Sequence, residues 1–165
     1  MLAIQKYERG YQERVITFLA ECLPQSGRAL DLSGRHKIYS NIEQSFECFW
    51  YLLDEERVVG TVGIKKLSKE ACELKSLYLL AHYHGQRLGY TLLHKAVSWA
   101  KENGYAELYL DTLTSSKKAI ALYQSAGFME TQRYNENETA DLFMVLNLAD
   151  AGGLMPTSED YAPGG

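Results

Sequence analysis

The residues best placed to do chemistry lie in one stretch, Tyr83-His84-Gly85-Gln86-Arg87-Leu88-Gly89-Tyr90, running on into Thr91-Leu92-Leu93. The run Leu74 to Leu80 before it reads as a strand, and the residues after it take helical spacing. A strand, a glycine-bearing turn and a helix N-terminus together make a phosphate cradle. First-turn N–H groups have no intrahelical acceptor, and the helix dipole favours an anion there. Glycine suits the turn because a bulky Cβ would hold a phosphate off the backbone.

Other chemistries fit less well. Gly85 and Gly89 are spaced G-x-x-x-G, short of the G-x-G-x-x-G of a dinucleotide fold, although Asp111 stands where a ribose-binding acid would fall. The strands before the turn form a hairpin series, and the chain is too short for two mononucleotide halves and a substrate domain. Asp111 is therefore expected to end a strand or cap the next loop. His82 and His84 flank the turn but lack a third ligand, so no metal site is expected. Cys22, Cys48 and Cys72 are isolated and odd in number, which suits buried thiols in a reducing compartment.

The elements that must position the turn follow from the pattern. Leu2 to Tyr7 reads as a strand, and Val15, Ile16, Phe18, Leu19 and Cys22 mark a helix from Tyr11 to Cys22 that Pro24 and Gly27 end. His36, Ile38, Tyr39 and Ile42 suggest a short helix within Asp31–Phe46, with Ser33 as its cap. Cys48–Leu53, Val58–Ile64 and Ala71–Leu80 read as three consecutive antiparallel strands. A helix carries the stripe Leu88, Leu92, Ala96 and Ala100 and closes at Asn103-Gly104. Tyr105–Leu110 is a strand. A helix capped by Ser115 or Ser116 reaches Ala126, where Gly127 stops it. Phe128–Tyr134 and Asp141–Leu148 make a terminal hairpin. The crossover between Leu80 and Tyr105 makes those two strands parallel. The expected class is α/β in the α+β sense, a mixed, mostly antiparallel sheet flanked by helices. One domain is expected over 1–148, followed by a flexible acidic tail rich in Gly and Pro over 149–165.

The net charge of −4 argues against a general nucleic-acid or anionic-membrane binder, and the twelve tyrosines are too scattered for a stacking platform. No apolar run approaches the ~20 residues of a membrane span, and the start lacks a signal-peptide core, so a cytoplasmic protein is expected.

Three segments, in order and spacing, resemble the GNAT superfamily of acetyl-CoA-dependent N-acetyltransferases. They are Glu73-Leu74-Lys75-Ser76-Leu77-Tyr78-Leu79, the turn His84-Gly85-Gln86-Arg87-Leu88-Gly89, and Ala119-Ile120-Ala121-Leu122-Tyr123-Gln124-Ser125-Ala126-Gly127-Phe128. Within the turn, His84 replaces the family's Arg or Gln and Arg87 replaces its middle glycine. Ser116 stands where an Asn is usual. The resemblance implies a sheet splayed between strands 71–80 and 105–110. Backbone groups of Leu77, Tyr78 and Leu79 would pair with pantetheine, and the pyrophosphate would rest on His84, Gly85, Gln86, Arg87, Leu88, Gly89 and Tyr90, with Ser116 and Tyr123 as further cofactor contacts. A backbone N–H near Leu79 would polarise the thioester.

It further implies acetyl transfer to a primary amine by direct attack in a ternary complex, with acetyl-CoA as co-substrate and no metal. Glu73 would be the base and Tyr123 the acid. The plain alternatives are a solvated Glu73 and a core Tyr123. The acceptor, a small molecule or a peptide, would lie against Tyr39, Trp50, Tyr134, Asn135 and Asn137. A homodimer stays open, as does a module that binds acyl-CoA without turning it over.

Overall fold

The computed structural model describes residues 1–149. The expected tail lies almost wholly outside the described residues. The elements follow the expected order β-α-α-β-β-β-α-β-α-β-β. Among the described residues, seven strands, β1 (Leu2–Lys6), β2 (Cys48–Asp54), β3 (Arg57–Lys66), β4 (Ala71–Leu79), β5 (Glu107–Thr112), β6 (Met129–Thr131) and β7 (Leu142–Asn147), order as β1-β2-β3-β4-β5-β7-β6 in one mostly antiparallel sheet, with β4 and β5 the parallel pair.

The chain clusters into two compact units, Met1–Lys65 with Lys75–Ala96, and Lys66–Leu74 with the chain from Val97. In the first unit, β1 (Leu2–Lys6) pairs antiparallel with β2 (Cys48–Asp54), and β2 with β3 (Arg57–Lys66). β2 is buried from Cys48 to Leu53, which explains why its sequence is apolar throughout instead of alternating. Helix α1 (Gln12–Cys22) buries Val15, Phe18, Leu19 and Cys22, the stripe its spacing requires. A 3-10 turn over Leu23–Ser26 follows it and ends at Gly27, whose φ of 80° is left-handed. The short helix arrives as a 3-10 turn, Lys37–Asn41, and one helical turn, α2 (Ile42–Ser45). Its cap is Asn41, whose side chain accepts from the Gln44 N–H at 3.2 Å. Ser33 instead donates to Asp31, so the expected cap is corrected.

Gly60 on β3 permits a close approach. A Cβ there would meet Leu79 Cδ1 at 3.0 Å, Leu92 Cδ1 at 3.1 Å and the Tyr78 carbonyl at 3.2 Å.

In the second unit, the first residues of β4 (Ala71–Leu79) run parallel to β5 (Glu107–Thr112), from Ala71↔Glu107 to Glu73↔Tyr109. β5 pairs antiparallel with β7 (Leu142–Asn147) along its whole length. Helix α3 (Leu88–Glu102) begins in the first unit and ends in the second, burying Leu92, Leu93, Ala96, Val97 and Ala100. Helix α4 (Lys117–Ser125) has Ser116 at its N-cap, but the hydroxyl makes no capping bond, a correction to the expected role of that side chain. β6 is only Met129–Thr131, shorter than the expected 128–134. The reason is Arg133: its guanidinium donates to the carbonyls of Asn137 at 2.9 Å, Ala140 at 3.1 Å and Asn135 at 3.5 Å, and stacks 4.5 Å from the Phe143 ring centroid. The side chain organises 132–140 as a loop, so that 132–134, expected as the end of the strand, join the turn that follows.

Candidate functional site

The first unit holds the turn that is expected to cradle a phosphate. β4 pairs in register with β5 as far as Glu73↔Tyr109, and goes on to Leu79 in the first unit. Midway, Ser76 takes a φ of 63°, left-handed for a non-glycine residue. Two hydrogen bonds hold it there. Thr61 Oγ1 donates to its carbonyl at 2.7 Å, and its hydroxyl pairs with the Tyr39 hydroxyl. Burial is the first cause that pushes Tyr39 well above the ordinary tyrosine range. Tyr39 and Trp50, expected to line an acceptor pocket, are 3% and 2% exposed. They are placed as core residues of the first unit.

Ser76→Val is expected to destabilise the fold by roughly 2–4 kcal/mol, because a β-branched side chain meets the left-handed backbone and Tyr39 loses one of its partners. Ser76→Gly should cost less, having no Cβ to strain. Urea denaturation of both variants checks the order; equal losses would remove backbone strain from the account.

Beyond β4, the 3-10 turn Ala81–Tyr83 is anchored on both sides. Gln25 Oε1 accepts from the Ala81 N–H at 2.8 Å, and the Tyr83 hydroxyl donates to Asp54 Oδ2 at 2.5 Å. His84 turns back on the strand. Its Nε2 lies 2.9 Å from the Leu79 carbonyl, and since a carbonyl only accepts, Nε2 carries the proton. The His84 ring is thus engaged by the strand end.

Gly85 has a φ of 86° and Arg87 a φ of 61°. The position where the family resemblance leads one to expect glycine therefore does hold a glycine-like backbone, occupied by arginine at a cost of about 1–2 kcal/mol. The Arg87 guanidinium sits 5.6 Å from the Tyr90 ring centroid. The first helical bond here is Thr91 N–H to the Arg87 carbonyl at 3.2 Å, so the first turn from Leu88 lies ahead of it, where N–H groups have no intrahelical acceptor.

The second unit holds a buried polar cluster. Glu73 is 4% exposed, which sets aside the solvated alternative. The Tyr134 hydroxyl donates to Glu73 Oε2 at 2.5 Å, and Asn135 Nδ2 donates to the same oxygen at 3.2 Å. Asn135 Nδ2 also donates to Asp111 Oδ2 at 2.6 Å. Burial first, then the Glu73 charge, pushes the Tyr134 hydroxyl far above the ordinary tyrosine range, so it stays a donor at any working pH. Its ring packs between Tyr109, centroids 4.9 Å apart, and Phe143, 5.6 Å.

Tyr134 and Asn135 were expected beside the acceptor, and here they hold Glu73. Asn137 shapes the loop, its side chain accepting from Thr139 N–H at 3.1 Å. Tyr123 is buried on α4 with its ring 5.8 Å from Phe128.

Sequence reasoning missed Ser76, Arg133 and the coupling of Asp111. Only Asp111 gave a signal, as an acid at the end of an apolar strand.

The three cysteines are buried and not joined in disulfides, and burial pushes the Cys22 thiol up to about 11. A thiol so raised is a poor nucleophile at neutral pH. Among the described residues, no group of three His, Cys, Asp or Glu is placed to hold a metal, and no helix is long and apolar enough to cross a membrane.

Known proteins are similar to this chain in sequence and in fold. Human N-acetyltransferase 8 is 34% identical over 106 residues, covering 61% of this chain and 46% of its own. The N-acetyltransferase YjgM of Escherichia coli K12 is 35% identical over 95 residues, covering 56% of this chain and 57% of its own. The chain thus spans about half the length of the curated relatives it matches. Among solved structures, a GNAT-family acetyltransferase from Staphylococcus aureus Mu50 superposes with a TM-score of 0.81 at 24% identity, covering 90% of this chain and 99% of that one. The PaiA N-acetyltransferase of Thermoplasma acidophilum, solved in complex with coenzyme A, superposes with a TM-score of 0.71 at 19% identity, covering 89% and 99%. The family described as "Acetyltransferase (GNAT) family" matches residues 13–128, most of the chain, and the chain belongs to it.

Proposed function

We propose that this chain is an acetyl-CoA-dependent N-acetyltransferase that acetylates a primary amine by direct attack in a ternary complex. The observation that carries the reading is Glu73, a carboxylate buried on β4 and held by two donors, four residues ahead of Leu77 on the same strand. A carboxylate this dry is costly to keep, and a base that must remove an ammonium proton explains its presence. The left-handed backbone at Gly85 and Arg87 and the first turn of α3 fit a pyrophosphate. The coenzyme A complex of the Thermoplasma relative supports the same ligand.

When bound, acetyl-CoA supplies an activated acyl group as a thioester. Leu77, Tyr78 and Leu79 offer backbone groups to pantetheine. Because the Leu79 carbonyl accepts from His84, the reading puts the weight on the Leu79 N–H, which also serves as the oxyanion donor. Gly85 to Tyr90 hold the pyrophosphate, and Ser116 is a further contact. Glu73 takes the amine proton, directly or through a water, and Tyr123 returns a proton to the departing sulfur. An acceptor amine, free or on a peptide, and a cytoplasmic setting belong to the same reading.

Thiol release from acetyl-CoA, measured with an alkylamine, an amino-acid amide and a short peptide with a free N-terminus, tests it. At least one should release thiol. Coenzyme A binding with no release across the panel would leave a binding module. Tyr123→Phe is expected to lower kcat by about 10²-fold or more while leaving the Kd for acetyl-CoA unchanged. An unchanged kcat would take Tyr123 out of the mechanism.

A further inference from the structure

We infer that Asn135 is a positioning residue for the proton acceptor, one amide nitrogen that holds Glu73 and Asp111 in register. This rests on the acetyltransferase reading above and deepens it. The geometry is specific. Nδ2 has two hydrogens, and each has a carboxylate: Glu73 Oε2 at 3.2 Å and Asp111 Oδ2 at 2.6 Å. The amide cannot flip without loss, because two carboxylates accept only, and because Oδ1 accepts the Asn137 N–H at 3.0 Å. Asn135 is thus locked at both ends of its side chain.

The lock is built from outside. Arg133 pins the loop through three carbonyls, that of Asn135 among them. Tyr134, clamped by Tyr109 and Phe143, adds its hydroxyl to the same Glu73 oxygen. Consecutive residues therefore fasten the loop, orient the base and bridge it to a second acid.

The bridge also settles an electrostatic conflict. Glu73 on β4 and Asp111 on β5 reach the same nitrogen, and two like charges that close repel. A neutral donor shared between them offsets that repulsion and fixes where each oxygen sits. A base displaced by about 1 Å costs on the order of 10²-fold in rate. Asn135 touches neither reacting atom in this account; it acts through Glu73.

The test uses Asn135→Leu and Asn135→Asp in the full chain, with the panel amine that the unaltered protein turns over fastest. Asn135→Leu keeps the size and removes both donors. Its kcat should fall about 10²-fold with the KM for acetyl-CoA within roughly two-fold. Asn135→Asp is isosteric and carries the decisive readout. Ionised, it places a third carboxylate on the other two; protonated, it donates again. Like charges raise its pKa, so its rate relative to the unaltered protein should climb as pH falls through the mildly acidic range. A flat ratio with pH, or a kcat within three-fold of the original in a folded Asn135→Leu, would overturn the inference. No thiol release by the unaltered protein with any amine would instead overturn the acetyltransferase reading, and this inference with it.

Discussion

Glu73→Gln is expected to lower kcat by roughly 10²–10⁴-fold with acetyl-CoA binding intact. The substitution is chosen for what it leaves in place. A glutamine carbonyl still accepts from the Tyr134 hydroxyl and from Asn135 Nδ2, so the cluster keeps its hydrogen bonds. The charge and the ability to take a proton are lost. Removing a buried charge also relieves desolvation, so the melting temperature should hold or rise. Steady-state thiol release, a coenzyme A titration and a thermal melt together check it. A kcat within about three-fold of the original, in a variant that melts normally, would mean that Glu73 is structural and the base lies elsewhere.

The second large effect belongs to the cradle. Gly89 sits in the first turn of α3, where N–H groups point out of the helix. Gly89→Asp puts a carboxylate where a pyrophosphate is expected to rest, adding bulk and like charge. Binding of coenzyme A should weaken by more than about 10²-fold, the scale of one lost charge-assisted contact combined with one new repulsion. The same carboxylate complements the helix dipole and removes a flexible glycine from the unfolded chain, so the fold should be no less stable, and about 0.3–1 kcal/mol more stable at low salt. Lost affinity with a retained or raised melting point is the signature. Calorimetric titration showing unchanged affinity would place the cradle elsewhere.

Much of the architecture was legible because its signals are local. The stripe of α1, the glycine at 27 and the run of apolar residues in β2 each report on their own neighbourhood. The crossover between β4 and β5 follows from a helix lying between two strands, and their parallel pairing was found as expected. The three adjacent segments around the turn, at 73–79, 84–89 and 119–128, were enough to point to the family that the chain matches.

What stayed hidden depends on partners distant in sequence. Ser76 reads as an ordinary polar strand residue, and only Thr61 and Tyr39 explain how it holds a left-handed backbone. The polar run after Thr131 reads as the end of a strand and a turn, because nothing in its composition says that Arg133 will spend its donors on three carbonyls. Glu73 looked as exposable as any carboxylate until Tyr134 and Asn135, some sixty residues on, closed over it. Asp111, which reads first as a ribose-binding acid and then as the end of a strand, gains meaning through the same asparagine. At the cradle, His84 invited a phosphate contact on charge alone, whereas its ring faces the Leu79 carbonyl.

The Arg133 clasp has a consequence for how this region opens. A strand frays from its end one rung at a time, each amide exchanging with solvent slightly before the next. Residues 132–140 have no such gradient, because one guanidinium closes the segment at several carbonyls together. Tyr134 and Asn135 lie inside the segment that it closes, and their own bonds to Glu73 and Asp111 tie the same loop. Solvent access to the buried carboxylate and opening of the loop are therefore expected to go together, resisted by the Arg133 bonds and by the Glu73, Asn135 and Asp111 cluster alike.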